Sequence, residues 1–246
     1  MYLTVKALVL RVTDYNDRDA LLTLLTSENG KLTVKARGLR RKNSPLSAPC
    51  QLLAYGEFTL FEYRGSYTIN EAHSIELFSN LRRDLVKLSL GSYFAQVAEI
   101  ISQEDLPNPE LQSLVLNCLY ALSKLNQPLE QVKAVFELRG ACIAGYTPDL
   151  FGCHQCGSQE PVFFDLSGGA LLCRNCMAQA SGLRMPVSAG LMDSLRYIVY
   201  CDSKKLFAFS IGQDSLEQLS ALTEAYLSTQ LERGFSALDF YKSLLI

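Results

Sequence analysis

Apolar and polar residues alternate with a period of two along much of the first 77 residues, as expected for half-buried β-strands. Apolar side chains occupy every second position of residues 3–9, and residues 20–25 follow as a more fully buried apolar run. Asn29-Gly30 then predicts a hairpin turn, because this dipeptide tolerates the positive φ of tight turns. Further strands are expected at 31–37, 57–63 and 67–72. The region therefore predicts a small closed β-barrel, for which an OB-fold is the natural candidate.

The predicted strand over residues 31–37 separates apolar from basic side chains. Because strand side chains alternate, its apolar residues share one face of the sheet: Leu32, Val34 and Ala36. The opposite face carries the cations Lys31, Lys35 and Arg37. The following loop continues the positive charge with Arg40, Arg41 and Lys42. We expect these six cations, here called the basic surface, to lie on the outside of the barrel.

The apolar period becomes helical near residue 79. Stripes at i, i+3, i+4 and i+7 predict helices over 84–103, 111–125 and 132–145, and two further helices and a short C-terminal one after Pro186. The sequence thus predicts an α+β protein with two parts. The first is an OB-fold domain at 1–78, and the second is an α-helical domain at 79–246.

Two Cys-x2-Cys pairs interrupt the helical pattern, with sixteen residues between them: Cys153 and Cys156, then Cys173 and Cys176. This spacing is typical of a four-cysteine zinc site, in which two tight turns complete the tetrahedron that Zn²⁺ prefers. The intervening residues predict a β-hairpin, so a zinc-binding segment at 150–180 is inserted in the helical domain. Four thiolates fill the coordination shell, and we expect one structural Zn²⁺. The alternative is four unrelated thiols or a redox pair.

Composition places the chain among ordinary globular proteins, with 48% hydrophobic residues. No apolar run approaches the roughly 20 residues that a membrane span requires. The first residues alternate like a strand and lack the apolar block of a signal peptide. Four further cysteines lie scattered in apolar settings, as in a reducing compartment. These features predict a cytoplasmic location.

The charge distribution is uneven, although the formal net charge is only −2. Residues 1–50 carry nine Lys/Arg against four Asp/Glu, and the remainder carries fourteen against twenty-one. This asymmetry indicates a basic binding module attached to an acidic body. The basic surface is suited to a phosphate backbone, while a solvated charged face is the alternative reading. Candidate aromatic residues for base stacking are Tyr15, Tyr55, Phe61, Tyr63 and Tyr67.

Nothing in the sequence supports a catalytic site. Only two histidines are present, and His154 lies between two predicted metal ligands while His73 lies in a predicted strand. The phosphate-binding and dinucleotide-binding glycine motifs and the zinc deaminase pattern are missing. We therefore expect a protein that is not an enzyme.

Several motifs together resemble the bacterial RecO family of DNA repair and recombination mediators. The resemblance covers essentially the whole chain. Its residues are the segment Gly30-Lys31-Leu32-Thr33-Val34-Lys35-Ala36-Arg37-Gly38, the segment Gly145-Tyr146-Thr147-Pro148 and the four cysteines in their order. Lys35 and Arg37 match the basic strand of the family motif, and Arg40, Arg41 and Lys42 match its basic loop.

The resemblance implies an OB-fold, a helical domain and a zinc-binding segment. It also implies binding to single- and double-stranded DNA, annealing of complementary strands and a nucleoid-associated location. The implied partners are RecR and the acidic C-terminal tail of single-stranded-DNA-binding protein, from which RecA loading would follow. The alternative function is that of a zinc-ribbon adaptor for protein docking, whose basic loop binds an acidic partner tail.

Overall fold

The computed structural model describes residues 1–125, 127–179 and 182–245. Its first 76 residues form a closed barrel in the strand order β1-β2-β3-β5-β4. The strands are β1 (Tyr2–Asp14), β2 (Ala20–Thr26), β3 (Lys31–Ala36), β4 (Tyr55–Tyr63) and β5 (Ser66–Glu76). Only β3 and β5 pair in parallel, and the other neighbours are antiparallel. This five-stranded closure is the OB-like barrel that the alternating pattern predicts.

The barrel interior is filled by the apolar residues at alternate strand positions. Leu24 on β2, Val34 on β3 and Phe58 and Leu60 on β4 are fully buried. Because the polar residues of the same strands point outward, β3 presents its cations on the outer surface, as its sequence pattern predicts.

The helices follow in the predicted order. They are α1 (Leu85–Ile101), α2 (Pro109–Lys124), α3 (Leu129–Ile143), α4 (Ala189–Tyr200), α5 (Gln213–Gln230) and α6 (Ser236–Ser243). Side chains that precede three of them accept hydrogen bonds from first-turn N–H groups: Asp84 for α1, Asn108 for α2 and Ser188 for α4. None of the helices within the described residues is long and apolar enough to cross a membrane.

Contacts divide the chain into two compact units. One unit consists of Met1–Leu125 and Phe235–Ile246, and the other of Asn126–Gly234. The sequence-based division into domains 1–78 and 79–246 stays a prediction.

In the first unit, the β2–β3 turn is fixed to the segment between α1 and α2. Lys31 N donates to Gln103 O at 2.9 Å, and Asn108 N donates to Ser27 O at 3.1 Å. Gly30 has φ +60°, and a Cβ added there would lie 2.3 Å from Gln103 O. Only glycine fits this position without a shift of the backbone. The barrel and the first two helices therefore pack as one body.

In the second unit, a buried charge cluster links α3 to α5. Lys133 Nζ lies 2.9 Å from carboxylate oxygens of both Glu137 and Glu224. The side chains of Lys133 and Glu137 are only 3% and 0% exposed. Thr223 Oγ1 also donates to Glu137 at 2.8 Å, which satisfies the buried carboxylate further.

The second unit also contains a four-stranded sheet that carries the cysteines. Its strands are β6 (Asp149–Cys153), β7 (Phe163–Asp165), β8 (Ala170–Leu172) and β9 (Arg184–Pro186), in the order β6-β8-β7-β9. We call these strands with their loops the four-cysteine sheet. The predicted hairpin is confirmed as the antiparallel pair β7 and β8. Sequence analysis did not predict β6 and β9, which complete the sheet on either side.

Candidate metal centre and nucleic-acid interface

The four cysteine sulfurs converge at one end of the four-cysteine sheet. Their Sγ atoms all lie within 4.8 Å of one another, and those of Cys156 and Cys173 are 3.7 Å apart. At a Zn–S distance of about 2.3 Å, two ligands of a regular tetrahedron are separated by about 3.8 Å. The thiols therefore fit a tetrahedral metal ion with little rearrangement.

The backbone brings each pair of cysteines onto a tight turn. Cys153 ends β6, and Gly157 N donates back to Cys153 O at 2.8 Å. Gly157 has φ +72°, a conformation that residues with a Cβ rarely adopt. Cys173 directly follows β8, and Cys176 N donates to Cys173 O at 3.2 Å. Both turns therefore hold their two sulfurs on the same side.

The thiols perturb one another strongly. Burial tends to raise the pKa of Cys153, but N–H groups of Cys173, Cys156 and Gln155 more than offset this and lower it to about 6. The neighbouring thiols of Cys156 and Cys173 raise the pKa of Cys176 to about 12. Four thiolates this close together repel one another, so they can all be ionised only if a cation balances their charge. A metal ion would be such a cation.

His154 lies outside the sulfur cluster. Its side chain is exposed, and Nδ1 lies 3.3 Å from Asp149 Oδ2. The four sulfurs alone already make a complete tetrahedral donor set. The cluster matches the metal ligands expected from the spacing.

Three cations of the basic surface have intramolecular partners. Lys31 Nζ donates to the backbone oxygen of Glu99 at 3.0 Å. Lys35 Nζ lies 3.4 Å from Asp19 Oδ2 and 4.4 Å from the centre of the Tyr15 ring. Arg40 forms an exposed ion pair with Asp14 at 2.7 Å. Sequence analysis did not detect these partners.

The other three cations of the basic surface face solvent. Arg37, Arg41 and Lys42 are exposed, and none of them has a carboxylate oxygen within 4.0 Å in the described part of the chain. Arg18 is exposed in the β1–β2 loop, and its backbone oxygen accepts from Arg40 N at 3.1 Å. Arg18 therefore adjoins the basic loop at Arg40, although its place in a separate turn of the sequence gave no indication of that.

Asp19 fixes the start of the basic loop to the β1–β2 loop. Its Oδ1 accepts from Gly38 N at 2.8 Å. That hydrogen bond, with others from Asn16 and Lys35, holds the pKa of Asp19 below its ordinary value of 3.8. Because the folded pKa is depressed, this contribution to stability is present above pH 3.8 and is lost as the pH falls through the folded value. At neutral pH the two loops therefore remain joined.

The candidate stacking aromatics differ in exposure. Tyr15, Phe61 and Tyr63 are exposed, whereas Tyr55 and Tyr67 are partly buried. Burial raises the pKa of the Tyr55 hydroxyl. Sequence analysis missed Tyr2, which pairs with Phe61 across β1 and β4.

Family comparisons agree with this architecture. A model described as "Recombination protein O N terminal" matches residues 1–78, and one described as "Recombination protein O C terminal" matches residues 82–239. The chain belongs to the RecO family. The family prediction from the sequence motifs is thereby confirmed.

Related proteins named "DNA repair protein RecO" match over nearly the full length. The one from Acetivibrio thermocellus is 32% identical over 245 residues, covering 99% of this chain and 97% of the relative. The one from Dehalococcoides mccartyi is 30% identical over 242 residues, covering 97% and 94%. The one from Bacillus subtilis is 28% identical over 222 residues, covering 90% and 86%. This RecO family member is accordingly a DNA repair protein with an OB-like barrel and a four-cysteine cluster.

Proposed function

We propose that this RecO family member is a recombination mediator that is not an enzyme and binds DNA through the outer surface of its barrel. The proposed contacts are Lys31, Lys35, Arg37, Arg40, Arg41 and Lys42. The observation that carries the proposal is the exposure of Arg37, Arg41 and Lys42 without a carboxylate within 4.0 Å among the described residues. Unpaired cations on one surface attract a phosphate backbone and gain affinity by releasing its counterions.

The six cations differ in how available they are to phosphates, because three of them have intramolecular partners. Arg37, Arg41 and Lys42 are the most available, because they have no ion pair to give up. Arg40 can exchange its exposed ion pair with Asp14 for a phosphate at small cost. Lys31 and Lys35 are held by Glu99, Asp19 and Tyr15, and they contribute mainly to the positive potential. Binding of single- and double-stranded DNA follows, since both offer the same backbone charge.

Strand annealing follows if the backbone is held while the bases remain free to pair. Backbone contacts carry no sequence information, so two complementary strands can be brought together whatever their sequence. We further propose that the protein works with RecR and contacts the acidic tail of single-stranded-DNA-binding protein, and thereby helps RecA onto coated DNA. The membership in the RecO family supports these steps.

The four cysteines are proposed to hold one structural Zn²⁺. An all-thiolate tetrahedral donor set favours zinc among the common divalent metals. Cys153, Cys156, Cys173 and Cys176 would each supply one sulfur. The ion would stabilise the four-cysteine sheet, and its filled shell leaves no position for a reacting water.

A double charge reversal tests the proposed function. Arg37→Glu/Arg41→Glu is expected to weaken oligonucleotide binding at least about tenfold at 0.15 M salt, because two phosphate contacts become repulsions. The rate of annealing of complementary oligonucleotides should fall with it. Lys35 is left intact because it contacts Asp19 and Tyr15. Its replacement would remove both contacts, and a folding defect could then not be told from a binding defect.

The matched control is Arg83→Glu/Lys124→Glu, which reverses two exposed charges elsewhere in the same unit. This control should bind and anneal like the native protein. Equal affinity of the native protein and the Arg37→Glu/Arg41→Glu variant would overturn the assignment. Weak binding by the native protein without dependence on oligonucleotide length would favour the docking adaptor.

A further inference from the structure

An open groove lies on the outer surface of the barrel beside the basic surface. It has a volume of about 340 Å³ and is lined by Tyr2, Arg37, Phe61, Thr68, Ile69 and Asn70. This volume is near the lower end of the range of about 300–1,000 Å³ typical of small-ligand sites. We call it the aromatic groove.

Two exposed aromatic rings form one side of the aromatic groove. Tyr2 and Phe61 are cross-strand partners on β1 and β4, and their ring centres lie 5.4 Å apart. Tyr2 is 61% exposed and Phe61 is 41% exposed. The barrel interior is already filled by Phe58 and Leu60 on the same strand, so the outward ring of Phe61 is not needed for the core. Aromatic side chains left open to water beside a groove indicate a ligand with a flat apolar face.

The other side of the groove carries a cation and polar groups. Arg37 follows directly after β3, which pairs in parallel with β5 at Lys35 and Thr68. Arg37 therefore reaches the strand that supplies Thr68 and Asn70 to the groove. Within the described residues, no carboxylate lies within 4.0 Å of its guanidinium. An unpaired cation opposite two exposed aromatic rings is complementary to a ligand that joins a planar ring to an anion.

We propose that the aromatic groove is a nucleotide subsite for single-stranded nucleic acid, in which a base stacks on Phe61 beside Tyr2 while Arg37 binds the adjoining phosphate. This inference rests on the proposed function, because it extends the same basic surface. It adds a different interaction, since stacking requires an unpaired base. A base inside a duplex is already stacked on its neighbours and cannot enter the groove.

The subsite has a distinct consequence for strand preference. The basic surface holds both kinds of DNA through phosphates, whereas the aromatic groove holds single strands only. Loss of the aromatic rings should therefore weaken single-strand binding and leave duplex binding unchanged. Loss of the cations should weaken both.

Paired affinity measurements test the subsite. Phe61→Ala is expected to weaken binding of oligo(dT) by about 5- to 150-fold, the factor that corresponds to about 1–3 kcal/mol of stacking per base. Its affinity for a hairpin-capped duplex of equal charge should stay within twofold of the native value, which also shows that the barrel is folded. Tyr120→Ala is the matched control, because Tyr120 is 52% exposed on α2 and lies outside the groove.

A spectroscopic variant gives an independent measurement. The chain contains no tryptophan, so Phe61→Trp places a single indole in the aromatic groove. When oligo(dT) is added, stacking of a base on the indole should quench the fluorescence of the indole. Phe61→Trp should also bind oligo(dT) more tightly than Phe61→Ala does. Tyr120→Trp should show no quenching. An abasic strand of the same length should bind without quenching in either variant.

The outcomes separate the subsite from the proposed function. If Phe61→Ala binds oligo(dT) like the native protein and Phe61→Trp is not quenched, the subsite is wrong, while loss of binding in Arg37→Glu/Arg41→Glu would still support the proposed function. If the native protein binds neither oligo(dT) nor the duplex, the proposed function itself fails. Selective loss of single-strand binding together with quenching supports both.

Discussion

The barrel and the four-cysteine sheet are both built from strands, but different forces hold them together. The barrel closes on itself around fully buried side chains such as Leu24, Val34 and Phe58. The strands β7, β8 and β9 are each three residues long. At the sulfur end of the sheet, the buried cluster consists of Cys153, Leu172 and Cys173, with Phe163 and Cys176 packed against it.

The difference in buried apolar residues suggests different roles for the two regions. Apolar burial supplies roughly 25 cal/mol per Å², so a barrel closed around a filled core needs no metal ion to hold its strands together. The buried cluster at the cysteines is much smaller, and the proposed metal ion would supply the stability that it lacks. In the proposed function, the outer surface of the barrel binds DNA, and the four cysteines serve the structure of the four-cysteine sheet.

Removal of one metal ligand should give the largest effect. Cys173→Ala is expected to abolish metal binding, which contributes about 10–16 kcal/mol in small zinc domains. Hydrogen exchange should then accelerate across residues 149–179 and 182–186, while amides of the barrel strands keep their protection. Metal analysis and hydrogen exchange mass spectrometry measure the two effects.

Cys201→Ala is the matched control for this experiment. Cys201 is partly buried and does not belong to the sulfur cluster. This variant should retain the metal. The contrast between the two regions would be wrong if Cys173→Ala kept one metal per chain, or if its barrel amides lost protection as much as the four-cysteine sheet did.

A destabilising substitution in the barrel should have a smaller effect on the free energy of unfolding. In Gly30→Ala, the new Cβ would meet Gln103 O at 2.3 Å and Leu106 O at 2.4 Å, and the residue has φ +60°. We expect a loss of about 2–4 kcal/mol in the free energy of unfolding of the barrel, from backbone strain and overpacking together. Hydrogen exchange of the strand amides measures this loss, and the metal content should stay at its native value.

Gly65→Ala separates the two causes. Gly65 also has a positive φ, +74°, but a Cβ there would meet no atom within 4 Å. Its cost should be about 1 kcal/mol, from the backbone conformation alone. If Gly30→Ala and Gly65→Ala lose the same free energy of unfolding, the contact of the β2–β3 turn with Gln103 and Leu106 does not stabilise the barrel.

The sequence predicted those features that depend on local pattern. The alternation of residues 3–9 and 31–36 lies in observed strands, with Arg37 directly after β3, and the helical stripes lie in α1 to α5. The four cysteines come together as their spacing requires. Each of these signals is contained in a short segment, because periodicity and ligand spacing are local properties.

The features that were missed depend on pairing between distant segments. The strands β6 and β9 have only five and three residues, too few for a periodic signal, and they exist because β8 and β7 pair with them. The ring pair of Tyr2 and Phe61 depends on the register of β1 against β4. The partners of Lys31 and Arg40 lie on other elements, so the sequence could not separate the engaged cations from the free ones.

The salt dependence of DNA binding tests the central claim that the exposed cations of the basic surface hold the phosphate backbone. The measurement is the slope of log Kobs against log salt concentration for a single-stranded oligonucleotide. Each phosphate contact contributes about 0.7 to the slope on a single strand. In Arg37→Ala/Arg41→Ala/Lys42→Ala the slope should therefore become shallower by about 2, with native metal content. Arg83→Ala/Lys124→Ala should keep the native slope. An unchanged slope in the triple variant, or an equal change in the control, would contradict the account.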